Sequence, residues 1–239
     1  ISNAYATGDV TATSNSNSTY AIAYAYAGGL VGYNYYGTIS NAYATGDVTA
    51  TSNSNSNSTY AIAYAGGLVG YNYYGTITAS FFDQQTTGRS SGIGGGSASG
   101  VTALTTEQMG DAFRFIDAGW NFATVWALPR VGGAPVLRSV AADPVYDYYI
   151  RLSGNATTVY GQAPAAGRVT LDGVGTGNVT LAWGAGISAV DVGQYGFRES
   201  GILSFDYSMG SADDYYVDYG TGTLTVTKAA LTVTANRSE

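Results

Sequence analysis

Side chains able to do chemistry are sparse and unevenly placed. Residues 1–88 contain no Lys, Arg or His, and their only acids are Asp9, Asp47 and Asp83. Glycoside hydrolysis needs two carboxylates flanking one bond. Asp9 and Asp47 sit at equivalent positions 38 residues apart and are the candidates for such a pair. Each follows a glycine, and Asp is also favoured in turns, where its side chain bonds to nearby backbone. The turn reading is preferred, and no catalytic residue is assigned. Asp213 and Asp214 with Asp218, and Asp143 with Asp147, offer the hard oxygen ligands that Ca²⁺ takes. Neither group matches an EF-hand loop or a Gly-Gly-x-Gly-x-Asp repeat, so no metal site is assigned. Gly92 to Gly100 is glycine-rich but lacks the Lys of a phosphate loop and reads as a linker. No cofactor is expected. Tyr33, Tyr35 and Tyr36, repeated as Tyr71, Tyr73 and Tyr74, are the candidate ligand-binding residues. Tyr combines flat apolar area with a hydroxyl, which suits glycans or proteins. The same rings could instead form a purely structural ladder.

A tandem repeat positions these tyrosines. Residues 1–38 and 39–76 are nearly identical units of 38 residues, differing by one Asn-Ser pair and one Ala-Tyr pair. A period of this size implies stacked units. Each unit also echoes itself: Tyr5-Ala6-Thr7-Gly8-Asp9-Val10 resembles Tyr26-Ala27-Gly28-Gly29-Leu30-Val31. The echo spacing alternates 21 and 17, which predicts coils of about 19 residues. Alternation at Ala21 to Ala27 predicts a strand with an Ala face turned inward and Ile22, Tyr24 and Tyr26 outward. The polar tracts Ser14 to Ser18 and Ser52 to Ser58 read as loops, since their lengths differ between units.

Composition narrows the partners. The net charge is -7, and only 10% of residues are charged. Nothing neutralises phosphates, so nucleic acid is not an expected partner. No apolar run reaches the roughly 18 residues of a membrane span, so membrane insertion is not expected. There is no Cys to form disulfides and no His to serve as base or metal ligand. The single lysine, Lys228, allows at most one isopeptide donor. Asn17, Asn57, Asn155, Asn178 and Asn236 open N-glycosylation patterns, which chance supplies readily in so Asn- and Ser-rich a chain.

The remaining chain divides by texture. Residues 1–88 are the repeat region. Residues 89–140 hold a flexible Gly-rich stretch and then a Trp-containing segment around Trp120 and Trp126, which reads as a cap over open strand edges. A short helix is predicted at Leu104 to Met109, with Thr105 or Thr106 as its N-cap and Gly110 near its end. Residues 141–228 form a separate all-β module, with strands expected at Arg168 to Leu171, Asn178 to Trp183, Gly201 to Tyr207 and Thr223 to Thr227. Residues 229–239 open a further module, with a strand at Ala230 to Asn236. The fold class expected is all-β: a parallel β-solenoid, or β-helix, of tandem repeats with a capping segment, then a small all-β module.

Gly28-Gly29-Leu30-Val31-Gly32 and Gly66-Gly67-Leu68-Val69-Gly70 resemble the GLUG motif of bacterial surface proteins, and Gly37 to Val48 supplies its usual continuation. Gly119-Trp120-Asn121-Phe122, Val125-Trp126 and Pro135-Val136-Leu137-Arg138 resemble the segment that often closes such arrays. Val159-Tyr160-Gly161, Val192-Gly193-Gln194-Tyr195 and Leu224 to Ala229 look like MBG/YDG-type modules of haemagglutinin-like adhesins. Together the resemblances imply a large exported adhesin of the two-partner-secretion kind, located outside the cell or on the bacterial surface. The expected role is a non-catalytic stalk or fibre segment, with possible self-association into fibres. The alternatives are a module that binds host or matrix glycans or proteins through its Tyr face, and, ranked lower, a polysaccharide-acting β-helix enzyme.

Overall fold

The computed structural model describes residues 1–16, 22–54, 60–164, 169–184, 187, 190–199 and 202–229. Ala21, the later parts of both polar tracts, Arg168, Gly201, the glycosylation patterns opening at Asn17, Asn57 and Asn236, and the strand expected from Ala230 lie outside the described residues. The chain divides into two compact units, Ile1–Val145 and Tyr146–Glu239. Both are all-β, with small sheets. Among the described residues no helix is long and apolar enough to cross a membrane.

In the first repeat the strands are β1 (Ser2–Ala6), β2 (Val10–Ser16), β3 (Ala23–Gly28) and β4 (Val31–Tyr35). In the second they are β5 (Thr38–Ala44), β6 (Val48–Ser54), β7 (Ala61–Gly66) and β8 (Val69–Tyr73). Each first-repeat strand pairs in parallel with its counterpart: Tyr5 faces Tyr43, Ala12 faces Ala50, Tyr26 faces Tyr64 and Tyr33 faces Tyr71. The register is therefore 38 residues in all four ladders, and the expected 19-residue coil is not formed. The two echo segments never pair with each other. They are the β1–β2 and β3–β4 corners of one unit. They look alike because each is a tight glycine-containing bend that delivers a Val to the next strand.

Identical side chains face one another throughout these ladders except where Tyr24 meets Ile62. Asn53 Nδ2 donates to Asn15 Oδ1 at 2.8 Å, and β2 and β6 reach Ser16 and Ser54. The polar tracts thus begin as strand, correcting the loop reading for their described part. Ladder pairing overrides the low strand preference of Asn and Ser. The expected two-faced strand is present: Ala23, Ala25 and Ala27 are buried, while Ile22 and Tyr24 are exposed. Asn3 and Asn41, at equivalent positions, both take a left-handed conformation with φ 49°. That kink breaks the alternation, so Ile39 and Ala42, three residues apart, enter one core with Leu68, Val69, Ile77, Phe82 and Ile93.

The next segment keeps the register and then abandons it. β9 (Thr76–Thr78) and β10 (Ser80–Asp83) pair with β5 at the same offset, Ile77 with Ile39 and Phe81 with Tyr43. The chain then jumps to β11 (Ile93–Gly96), where Ile93 faces Val69, and to β12 (Val101–Leu104), where Val101 faces Ser80. No counterpart of β6 or β7 lies between β10 and β11. The linker reading of Gly92 to Gly100 is thereby corrected. Gly94 is part of a strand so close to Ala65 and Gly70 that a Cβ would overlap their backbone.

The helix expected near Thr105 is α1 (Thr106–Met109), with Thr105 as N-cap in a reciprocal capping box with Gln108. A second, α2 (Ala112–Ile116), is capped by Asp111 and was not foreseen. β13 (Trp126–Ala127) and β14 (Val136–Leu137) form a small antiparallel pair. The aromatic segment runs along one side of the stacked strands. Trp126 lies 6.1 Å from Tyr5 and 6.3 Å from Tyr43, and Trp120 lies 6.4 Å from Tyr43 and 5.8 Å from Phe81. Tyr5, Tyr43 and Phe81 are register equivalents, and their aligned rings form an apolar face against which Trp120, Trp126 and Phe115 pack, burying Tyr43 and Phe81 and leaving Tyr5 half-buried. Two indole N–H groups fix the alignment, donating to Ala79 O and Asn3 Oδ1.

The second unit holds β15 (Tyr148–Ser153), β16 (Ala156–Val159), β17 (Thr170–Val174), β18 (Val179–Trp183), β19 (Gly193–Gly196), β20 (Leu203–Tyr207), β21 (Tyr215–Asp218) and β22 (Thr223–Thr227). Three small sheets result, ordered β17-β15-β21, β16-β22-β19 and β18-β20. They enclose Ile150, Leu152, Phe197, Ile202, Tyr215, Leu224 and Val226. Strands β18, β20 and β22 fall on the runs expected from the sequence, whereas β17 begins at Thr170 and runs to Val174, beyond the expected Arg168 to Leu171.

Candidate functional site

All six candidate tyrosines belong to one cluster. Tyr33 and Tyr35 are alternate residues of β4, so they share a face, and Tyr71 and Tyr73 do the same in β8. Parallel pairing stacks each ring on its counterpart: Tyr33 on Tyr71 at 5.5 Å, Tyr35 on Tyr73 at 5.3 Å, and Tyr36 on Tyr74 at 5.5 Å. Tyr36 and Tyr74 follow their strands in the left-handed region, each with φ 51°. That turn swings the ring back edge-on against its neighbour, at 4.7 Å for Tyr35–Tyr36 and 4.6 Å for Tyr73–Tyr74.

Three further rings complete the cluster. Tyr26 and Tyr64 stack at 5.7 Å and abut Tyr33 and Tyr71 edge-on. Tyr24 joins Tyr26 at 5.7 Å. Sequence reasoning placed Tyr24 and Tyr26 on an outward face but did not join them to the site. The missing signal was the β3–β4 corner, which folds one Tyr face against the other. The cluster stops at the third level because Gly95, register partner of Tyr71, carries no side chain, and the Tyr64 and Tyr71 rings lie over it.

Stacking decides what the cluster can do. Each stacked pair spends one face of each ring, and what remains of the rings, with their hydroxyls, meets solvent. Tyr35, Tyr36 and Tyr74 are 64%, 61% and 66% exposed. The Tyr33 phenol is held above its ordinary pKa by desolvation among the rings and then by repulsion from Tyr71, Tyr73 and Tyr35. Tyr26 is raised for the same kinds of reason, desolvation first. The cluster is therefore a neutral surface whose hydroxyls can both donate and accept hydrogen bonds.

The acidic candidates are engaged in local structure. Asp9 Oδ1 accepts the Asp47 amide of the next unit at 2.9 Å, and Asp47 Oδ2 accepts from Thr49 Oγ1 at 3.3 Å. Asp214 Oδ2 accepts from the Ser211 amide at 2.6 Å. Asp218 pairs with Arg151 at 3.5 Å and accepts from the Gly220 amide. Asp143 and Asp147 fall in different compact units. Among the described residues no group of three or more His, Cys, Asp or Glu could hold a metal ion.

The family profile of the GLUG motif matches residues 23–49. These cover β3, β4, β5 and the corner leading into β6, so the motif spans the junction between the two units. No curated protein and no solved structure matches the chain.

Proposed function

We propose that this chain is a non-catalytic stalk or fibre segment of a bacterial surface adhesin, and that its repeat region is a parallel β-solenoid with a 38-residue turn. The observation that carries the reading is the register: four separate ladders all pair at one 38-residue offset. A unit that packs only on its neighbours can be repeated to any length, which is what a spacer requires. The GLUG match fits the resemblance to surface proteins. The test is insertion of further copies of residues 39–76. Each copy is expected to lengthen the particle by about 4.8 Å along the stacking axis, read by small-angle scattering. A particle that thickens or aggregates instead of lengthening would overturn the reading.

A second reading has its own observation. Tyr36 and Tyr74 are bulky residues held at φ 51°, a strained conformation kept in both units while their rings stay exposed. Strain retained for outward-facing rings favours a binding role for the Tyr face. Glycan-array binding lost on Tyr35→Ala with Tyr73→Ala would support it, and unchanged or absent binding would eliminate it.

A further inference from the structure

We propose that the groove between the Tyr5/Tyr43 face and the segment around Gly133 to Val136 is a binding site for a short, neutral saccharide chain. The groove lies wholly in the first compact unit and encloses about 500 Å³. That volume falls in the range of small-molecule sites, roughly 300–1,000 Å³. The groove is distinct from the exposed tyrosine cluster, and none of that cluster's rings lines it.

One wall is built by the register. Ala6 pairs with Ala44 and Ala44 with Phe82, so the following residues Thr7, Thr45 and Asp83 form a row along the stacking direction. Successive members of such a row are about 4.8 Å apart. The facing wall is apolar and comes from Met109, Gly133, Ala134 and Val136.

The lining chemistry selects the ligand. Asp83 is 1% exposed, and its carboxylate already accepts from the Gln85 and Thr86 amides and from Thr106 Oγ1. No Lys or Arg lines the groove. Tyr43 OH is committed to Pro135 O at 2.8 Å. Among the described residues the Thr7, Thr45 and Thr86 hydroxyls carry no hydrogen-bond partner, and they remain to meet a ligand. Hydroxyls that both donate and accept match sugar hydroxyls. The Tyr5 ring and the facing apolar wall match the C–H faces of a pyranose. An anion would find no cation here.

This site stands beside the stalk reading and does not depend on it. The array could be a spacer with or without the groove, and loss of saccharide binding would leave the 38-residue register intact.

The test is a set of NMR titrations of the ¹⁵N-labelled full chain with cellotriose, chitotriose, maltotriose and laminaritriose, with trigalacturonate as an anionic comparator. We expect at least one neutral trisaccharide to shift the amides of Thr45, Thr86 and Ala134 with a Kd of about 1 mM or tighter. Replacing Thr7 and Thr45 together by Val should weaken it about tenfold, the loss of hydrogen bonds without loss of shape. Ala134→Leu, which fills the groove from the lateral segment, should abolish it even if the Thr pair proves necessary for folding. Tyr35→Ala with Tyr73→Ala should leave it unchanged. The proposal is overturned by no shift with any neutral trisaccharide, by tighter binding of trigalacturonate, by unchanged binding in Ala134→Leu, or by shifts that vanish with the Tyr35 and Tyr73 substitutions.

Discussion

Asn72→Ala should be among the most damaging single changes in the first unit. Asn72 is fully buried and bridges three levels of the stack. Its Nδ2 donates to Gly75 O at 3.0 Å and to Ser97 O at 3.1 Å, and its Oδ1 accepts from Asn34 Nδ2 at 2.8 Å. Truncation takes this donor from the part-buried bonds to Gly75 O and Ser97 O and leaves Asn34 Nδ2 with only Gly37 O, at 3.2 Å. A polar group stranded in the interior costs about 1–3 kcal/mol and one that water can reach costs less, so the three lost bonds together cost about 2–4 kcal/mol. That is a large part of the ~5–15 kcal/mol that holds a typical domain together. Asn34→Ala removes two bonds, against three for Asn72, and should cost about 1–3 kcal/mol. Asn72→Asp should be worse than Asn72→Ala at neutral pH, because a carboxylate would face two carbonyl oxygens. Urea unfolding read by Trp fluorescence measures this. A Trp183→Phe background confines the signal to Trp120 and Trp126, both in the first unit. If Asn72→Ala cost less than about 1 kcal/mol, or no more than Asn34→Ala, the bridging argument would fail.

Gly46→Ala should destabilise by about 1–3 kcal/mol because its Cβ would overlap the Gly8 backbone, whereas Gly8→Ala, with nothing within 4 Å, should stay within about 0.5 kcal/mol; paired melts decide. Ala79 occupies the register position of Asn3 and Asn41 with φ 45°, and Ala79→Asn should stabilise by about 0.5–1 kcal/mol, since Asn tolerates the left-handed region better. Burial and, secondarily, the nearby Tyr5 raise the Tyr43 pKa well above its ordinary value. Above the unfolded value of about 10 the unfolded chain binds fewer protons than the folded one, so stability should be full below about pH 10 and fall by up to about 1.4 kcal/mol per pH unit above it. Tyr43→Phe should flatten that alkaline fall in a pH series of urea melts, and an unchanged slope would assign it to other groups.

The all-β class, the two repeat units and the Tyr and Ala faces were legible because they are written in periodicity and near-identity. The 19-residue coil was misread because sequence similarity cannot distinguish residues that stack from residues that play the same part at two corners. Tyr5 and Tyr26 look equivalent, yet one packs against Trp126 and the other packs among the clustered tyrosines. The strand at Ile93–Gly96 was hidden because glycine weakens a strand in isolation, and only the closeness of Ala65 and Gly70 explains why nothing larger stands at Gly94. The six candidate tyrosines were found as a group because they repeat. The Thr7–Thr45–Asp83 row was missed because its third member is of a different type, so no repeat pattern marks it.

That difference bears on where specificity can arise. Inside a strictly repeated array no level differs from the next, so a ladder such as Tyr33 on Tyr71 offers the same surface wherever it recurs. A unique site needs the register kept while residue identity changes. The chain does this at its third level. Phe81 stands where Tyr5 and Tyr43 would repeat, and receives Phe115 and Trp120. Asp83 stands where Thr7 and Thr45 would repeat, and organises Gln85, Thr86 and Thr106 around one end of the groove. Gly95 stands where a Tyr would repeat, and ends the aromatic cluster. Each substitution exchanges a stackable residue for one that recruits the lateral segment or terminates a ladder. The exposed tyrosines thus form a repeatable surface, whereas the covered Tyr5/Tyr43 side, closed once by the lateral segment, is where the chain has the asymmetry that selective binding requires.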